Sequence, residues 1–516
     1  MKRFSIFMVA VSLCFTVRAQ EIEYSEPVNT PESCTSIMVG KKASPDGSVI
    51  TSHTCDGNYR TWMEIVPAKQ YERDTVTAIY DGLMHTEFIA DRSKWIVKGT
   101  IPQVRSTYQF LNTSYPCLNE KQLGIGETTI TGRNELVNRK GMFMIEELER
   151  IALERCSTAR EAILLMGELI AEYGYADEGE CLTVADTKEV WHFEVFGEGP
   201  GRIGGVWAAI RIPDDHVGVS ANIPRISSLD PKDTKNCLAS ANVFDVAKKL
   251  GYWDGKAPFC FWKAYGGVNK AFNIREFFIL SHLAPSLNLS YDAEELPFSV
   301  KPEKPVAATD VMALLRQTYE GTQWDMTQNL NNSPSANPWM TVDMIKMLND
   351  IKENTVTRYR LVAVPQCSYS TVIQLRDWLP DAVGGVTWLT FDNPGQSPRI
   401  PVFCGATKLP ACFGICGQQR YRDDAVIWNF RRTNKLATVR WGLTKDMMNA
   451  SIAHFDEKGQ LELPSVERIY AKLLETKGEV AAKDYLTGYT ADFAGAAILR
   501  WKEMGDEFWR MFARGF

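Results

Sequence analysis

The chain has 516 residues, of which 45% are hydrophobic and 23% charged, and its 14 tryptophans suit a soluble protein with a large buried core. A formal net charge of −6 and the lack of any basic stripe leave no electrostatic footprint for a phosphate backbone, which excludes a nucleic-acid-binding role. Length alone would allow two or three domains.

Lys2 and Arg3 precede an apolar run from Phe4 to Val17 that is too short to span a bilayer, and Val17-Arg18-Ala19 offers small residues where a signal peptidase cuts. Residues 1–19 are therefore predicted to be a signal peptide, and the protein to be exported, periplasmic or extracellular, without a membrane anchor. Leu13 before Cys14 argues against a lipoprotein site. Residues 20–33, "QEIEYSEPVNTPES", carry Glu21, Glu23, Glu26 and Glu32, two prolines and no basic residue, the composition of a disordered spacer or propeptide.

A strand meander is predicted next, from "TSIMVGKKA", "SVITSHTCD" and "WMEIVPA" with a turn at "SPDGS". Residues 135–174 carry apolar residues at helical spacing and read as two helices broken near Ser157-Thr158, where a hydroxyl caps the second. Strands resume at "CLTVADTKEVWHFEVFG", "GVWAAIRIP" and "HVGVSANIPRI", an order that suggests a layered α/β arrangement rather than a doubly wound sheet.

"ATDVMALLRQTYEG" is predicted as a helix opened by Thr309 or Asp310 and closed by Gly321, between loops at "PFSVKPEKPVAA" and "NNSPSANP". "YRLVAVPQCSYSTVIQLRDWL", "GGVTWLTF" and "IPVFCGA" read as strands, and 464–514 as mainly helical. No internal repeat is visible. The proline-rich stretch at 297–305 is the only tempting domain boundary, although the later strands can join the earlier sheets.

Twelve cysteines in an exported chain usually signal disulfides. Loss of Cys14 with the signal leaves eleven, so one thiol must be unpaired. Cys412 and Cys416 are close enough for a local bridge, but no spacing resembles a zinc ribbon or a CxxC redox site.

The chain has no HExxH, GxSxG, phosphate-cradling loop or dinucleotide fingerprint. None of its six histidines, His53, His85, His192, His216, His282 and His454, is nominated by its context as the base of a cysteine hydrolase. A different device needs no histidine. Cutting Ser33–Cys34 would give Cys34 an α-amine of unperturbed pKa about 7.7 to 8.0, able to take the thiol proton and return it to a leaving amine. The leader would then mask the nucleophile until export.

"CTSIMVGKKASPDGSVITSHTCDG" resembles the mature start of the C69 dipeptidase family of N-terminal nucleophile hydrolases, and "LGIGETTITGRNEL", "VADTKEVWHFEVFGEG", "VSANIPRI", "YEGTQWDMT" and "AVGGVTWLTF" extend the likeness from residue 34 onward. The resemblance implies an α+β fold, a four-layer αββα sandwich with additional helices. It also implies an exported cysteine dipeptidase acting on short peptides, with no cofactor or metal, in a family whose members commonly assemble as homo-oligomers. By position, Asp56 matches the aspartate that holds the α-amine, Asn222 an oxyanion-hole asparagine, and Arg275 the arginine that lowers the thiol pKa. His53 stands where the family usually has arginine, so thiolate stabilisation is expected to be weaker or pH-dependent.

Glu127 and Thr128 lie where relatives acting on other amides place a neutral asparagine; a carboxylate there would accept a dipeptide's ammonium. The plainer alternative is a buried Glu127 paired with Arg133. Two other functions stay open at this stage: an amidase of the same fold for bile-salt or penicillin V type amides, and a secreted binding protein in which Cys34 forms a disulfide with Cys55.

Overall fold

The computed structural model describes residues 33–86, 95–330 and 333–515; the predicted signal peptide and residues 20–32 of the predicted propeptide lie outside them. The first strand, β1 (Ser33–Val39), runs antiparallel to β2 (Val49–Asp56), and every residue of both is buried. The turn between them is made locally: Asp46 Oδ1 accepts from Ser48 N and Oγ, and Gly47 takes φ 82°, which a Cβ would disfavour.

β1 and β2 are central in a seven-stranded antiparallel sheet ordered Ser299–Val300, Val217–Ser220, β1, β2, Cys367–Leu375, Val386–Phe391, Ile400–Phe403. An eight-stranded antiparallel sheet is ordered Cys237–Ala239, Gly205–Arg211, Val190–Gly197, Gly179–Ala185, Gly124–Ile130, Leu118–Asn119, Phe110–Asn112, Glu64–Val66. The two sheets meet face to face around β1 and β2. Thr51 Oγ1 lies 2.6 Å from Thr183 Oγ1, and Thr128 Oγ1 lies 2.5 Å from Ser220 Oγ. Gly126 permits this approach, because a Cβ there would run into the Ser52 carbonyl.

Helix Ala159–Tyr173 packs on the far side of the second sheet, where Gly167 leaves room for the Trp207 ring. Thr158 caps it as predicted, in a reciprocal capping box with Glu161. Helices Ile274–Leu283 and Ala308–Leu315 lie against the first sheet, as do the longer Val426–Val439 and Glu479–Met511. The protein is therefore a mixed α+β fold. Strands from both halves of the sequence share the first sheet, so the prolines at 297–305 mark a loop and an edge pairing rather than a break in it.

Several expected elements differ in extent. The first predicted helix begins at Ile145, not 135, because Gly141 must approach the Tyr175 carbonyl and 138–141 forms a turn. The helix from Ala308 stops at Leu315 instead of reaching Gly321, since Tyr319 adopts φ 63°. Only Cys367–Leu375 of the 359–379 stretch is strand. Helix Trp441–Lys477 continues through Pro464, where a start had been read; its packing along Glu479–Met511 offsets the missing backbone bond. Helix Val426–Val439 is not foreseen by the sequence reading. No helix among the described residues is long and apolar enough to cross a membrane.

Candidate active site

The site forms at the start of β1. Strand pairing places Ser33 opposite Asp56 and Cys34 opposite Cys55. With Ser33 in place, Cys34 N is still a peptide amide. Alternation along β1 sends Cys34 and Ser36 toward the second sheet, where Cys34 Sγ donates to Glu127 Oε2 at 3.4 Å and Ser36 Oγ to the Glu127 carbonyl at 3.1 Å. Cys34 is fully buried, and burial, followed by the Glu127 charge, holds its thiol well above the ordinary cysteine pKa.

The Cys34 backbone is clamped on both sides. Its N–H donates to Asn222 Oδ1 at 3.0 Å, and its carbonyl accepts from Arg275 Nη1 at 2.7 Å. Arg275 also donates from Nη2 to Asn222 Oδ1 at 2.8 Å and to the Ala221 carbonyl at 3.0 Å. It stands in the first turn of helix Ile274–Leu283, opened by an Asn273–Glu276 capping box. Burial raises the Glu276 carboxyl to about 7, with Arg275 the main opposing influence. Arg275 is thus a buried fork that holds the Cys34 carbonyl.

Asn222, at φ 65° just beyond strand Val217–Ser220, gives its Nδ2 to the Thr129 carbonyl at 2.6 Å. Both donors facing Oδ1 fix the orientation of the amide. The side chain therefore presents oxygen to Cys34 N, the reverse of the N–H donor that an oxyanion hole requires.

Asp56 is also buried. Its Oδ2 accepts from Thr54 Oγ1 at 3.0 Å and from Arg360 Nη2 at 2.8 Å, and Arg360 Nη2 donates to Ser33 Oγ at 2.5 Å as well. Asp56 Oδ1 has no hydrogen-bond partner among the described residues. Arg360 therefore ties Ser33 to Asp56, its neighbour across the strand pair. Sequence reasoning missed it, because it precedes a strand as one of two basic residues in "TRYRLVAV" and no local spacing links it to Asp56, 304 positions away.

On the opposite side, Glu127 is fully buried and its carboxyl is raised to about 7, burial being the main cause. Glu180, unforeseen in the sequence, is held well above the usual carboxyl range by burial and then by the Glu127 charge. Thr129 Oγ1 donates to Glu127 Oε1 at 3.3 Å. The expected alternative of a Glu127–Arg133 pair does not occur: Arg133 donates to the carbonyls of Ala264 and Lys263 and stacks over Tyr252.

His53 Nδ1 lies 2.7 Å from the Glu127 carbonyl and 3.8 Å from Glu127 Oε2. Burial lowers its pKa to about 4, so the imidazole is neutral at physiological pH. The sequence leads to weaker or pH-dependent thiolate stabilisation at this position, and a ring with a pKa of about 4 brings no positive charge to the thiol near neutrality. Thr128 points the other way, to Ser220 between the sheets, and is not brought to the thiol.

A cavity of about 550 Å³ opens beside these groups, lined by Thr129, Asp177, Glu178, Phe196 and Asn222 among others. It is the size of a small-molecule site. No disulfide joins any of the eleven described cysteines, so neither Cys412–Cys416 nor Cys34–Cys55 is bridged, although the latter two are cross-strand neighbours.

Comparison with known proteins agrees with the geometry. A probable dipeptidase of Salmonella dublin is 28% identical over 393 residues, covering 72% of this chain and 81% of the relative. A probable dipeptidase of Latilactobacillus sakei is 26% identical over 396 residues, 72% of this chain and 74% of the relative. A probable dipeptidase B of Lactococcus lactis subsp. lactis is 23% identical over 495 residues, 90% of this chain and 93% of the relative. The family model described as peptidase family C69 matches residues 33–454, most of the chain and all of the site described above. The chain belongs to peptidase family C69.

Proposed function

We propose that the protein is an exported dipeptidase that uses Cys34 as an N-terminal nucleophile after loss of the residues before it. The observation that carries this reading is the clamp around one peptide bond. Asn222 Oδ1 holds Cys34 N, Arg275 holds the Cys34 carbonyl, and Arg360 joins Ser33 Oγ to Asp56. Two stacked antiparallel sheets with helices against each also support the αββα N-terminal nucleophile architecture.

Maturation begins when Cys34 Sγ attacks the Ser33 carbonyl carbon and the thiol proton passes to the departing Cys34 nitrogen. The Ser33–Cys34 C–N bond breaks, a thioester forms, the amine is released, and water hydrolyses the thioester. In turnover the free amine takes the thiol proton, Sγ attacks the substrate carbonyl, and the proton passes to the leaving amine; water activated by the same amine then hydrolyses the thioester and the proton returns to sulfur. Asn222 Oδ1 already faces the nitrogen that becomes this amine, and unpartnered Asp56 Oδ1 supplies a second acceptor close by. A neutral, weakly basic His53 leaves this amine as the base. Proximity is built into one residue.

The acidic character of Glu127 beside the thiol, with Asp177 and Glu178 on the cavity wall, suits the ammonium of a free dipeptide better than a blocked amide. The printed names of the relatives point to the same substrate class.

Intact mass and N-terminal sequencing of purified wild type and Cys34→Ala, followed by a dipeptide cleavage assay, test the proposal. Wild type is expected to begin at Cys34, and the variant to keep its leader and lose on the order of 10⁶-fold in kcat. A wild type that retains Ser33 and is fully active would overturn the amine-base mechanism.

A further inference from the structure

Cys34 Sγ, a ring nitrogen of His53 and a carboxylate oxygen of Glu127 all lie within 4.8 Å of one another, and all three residues are buried. Sγ is 3.4 Å and His53 Nδ1 3.8 Å from the same Glu127 Oε2, separations that neighbouring ligands on one tetrahedral ion adopt. Thiolate, imidazole and carboxylate together form a donor set suited to Zn²⁺ and poorly suited to Mg²⁺ or Ca²⁺, which take oxygen ligands.

The surroundings favour this use of His53. Its Nε2 has no hydrogen-bond partner among the described residues and can carry the ring N–H; Nδ1 then exchanges its 2.7 Å bond to the Glu127 carbonyl for the ion. Thr129 Oγ1 donates to Glu127 Oε1 and leaves Oε2 facing the sulfur and the ring. No cation is paired with Glu127 among its hydrogen bonds and ion pairs in the described residues, His53 apart.

We infer that Cys34, His53 and Glu127 form a Zn²⁺ site that reversibly blocks the nucleophile. On binding, the S–H bond breaks, the proton passes to water, and an S–Zn bond forms with no change of oxidation state. The sulfur lone pair that would attack a carbonyl is then held by the ion. If Cys34 is the mature N-terminus, as proposed above, its amine and thiol chelate the ion together and complete four protein ligands. The three-donor site itself does not need that step.

Titration of metal-free purified protein with Co²⁺, followed by displacement with Zn²⁺, tests the site. One equivalent of Co²⁺ should give an intense thiolate-to-cobalt absorption that Zn²⁺ removes, and Cys34→Ser should abolish it. His53→Ala should weaken Zn²⁺ binding by at least about tenfold, the lower end of what even an outer partner of a metal ligand is worth. The Zn²⁺ concentration that halves dipeptide cleavage should rise by the same factor, with activity restored by a chelator.

Lack of the thiolate band, or equal Zn²⁺ affinity in wild type and His53→Ala, would overturn the inference. Should His53→Ala not fold, Glu127→Gln must show the same loss of affinity. The two proposals fail separately. A processed, active enzyme whose zinc response ignores His53 removes only the metal site, whereas an uncut, inactive chain that shows the cobalt band removes only the mechanism.

Discussion

Cys34 sits between two buried polar regions organised on opposite principles. On one side, Asp56 is paired with Arg360, while Arg275 spreads its donors over Cys34, Ala221 and Asn222. On the other, Glu127 and Glu180 share a pocket, and Glu149, whose two carboxyl oxygens lack hydrogen-bond partners among the described residues, is raised by burial and by Glu127. Fixed charges on the first side are matched by fixed donors, so that side positions atoms. Acids crowded without a cation hold protons instead, and Glu127 among them is raised to about 7.

The sharpest way to break this contrast is to uncouple the compensated side. Arg360→Met leaves Asp56 buried without its cation and should cost about 3–5 kcal/mol of stability by chemical denaturation. Asp56→Asn combined with Arg360→Met should recover part of that loss. If the single variant is as stable as wild type, the pair is not what fixes the Ser33 side of the bond.

Arg275→Lys tests the same side more gently. An ammonium cannot bridge the carbonyls of Cys34 and Ala221 and the Asn222 amide at once, so the variant should lose about 1.5–3 kcal/mol. Processing at Cys34, read by intact mass, should slow with it.

The acidic side should respond to pH rather than to pairing. Glu127, raised in the fold from 4.5 to about 7, binds more protons folded than unfolded across that window, so its contribution to stability falls as pH rises from 4.5 to about 7. Glu127→Gln should flatten that part of the stability curve by on the order of 1–3 kcal/mol, seen in denaturation midpoints across pH. An unchanged slope would mean that Glu127 is already ionised at the low end. The smallest effect is expected at His53, already neutral above about 4: His53→Asn should introduce or remove no limb of the pH–rate profile between about pH 5 and 8.

Local sequence was informative wherever a local rule sets the outcome. The β1 and β2 strands follow from β-branched runs around an Asp-Gly turn, and the Thr158 cap from a hydroxyl three residues before Glu161. Resemblance to the C69 family, carried over position by position, nominated Cys34, Asp56, Asn222 and Arg275 for one site. Helix extents were less legible where tertiary contacts overrule propensity, as at Pro464 and Gly141.

By itself, then, the sequence determined which residues are available and which short elements carry them. Only the tertiary structure decided their charge and orientation. Asn222 turned its oxygen to Cys34 because two donors converge there, and Arg360 became Asp56's partner through a contact spanning 304 positions. His53 lost its proton and Glu127 kept its own near neutrality because burial penalises whichever form is charged, and burial is a property of the packed sheets rather than of any motif.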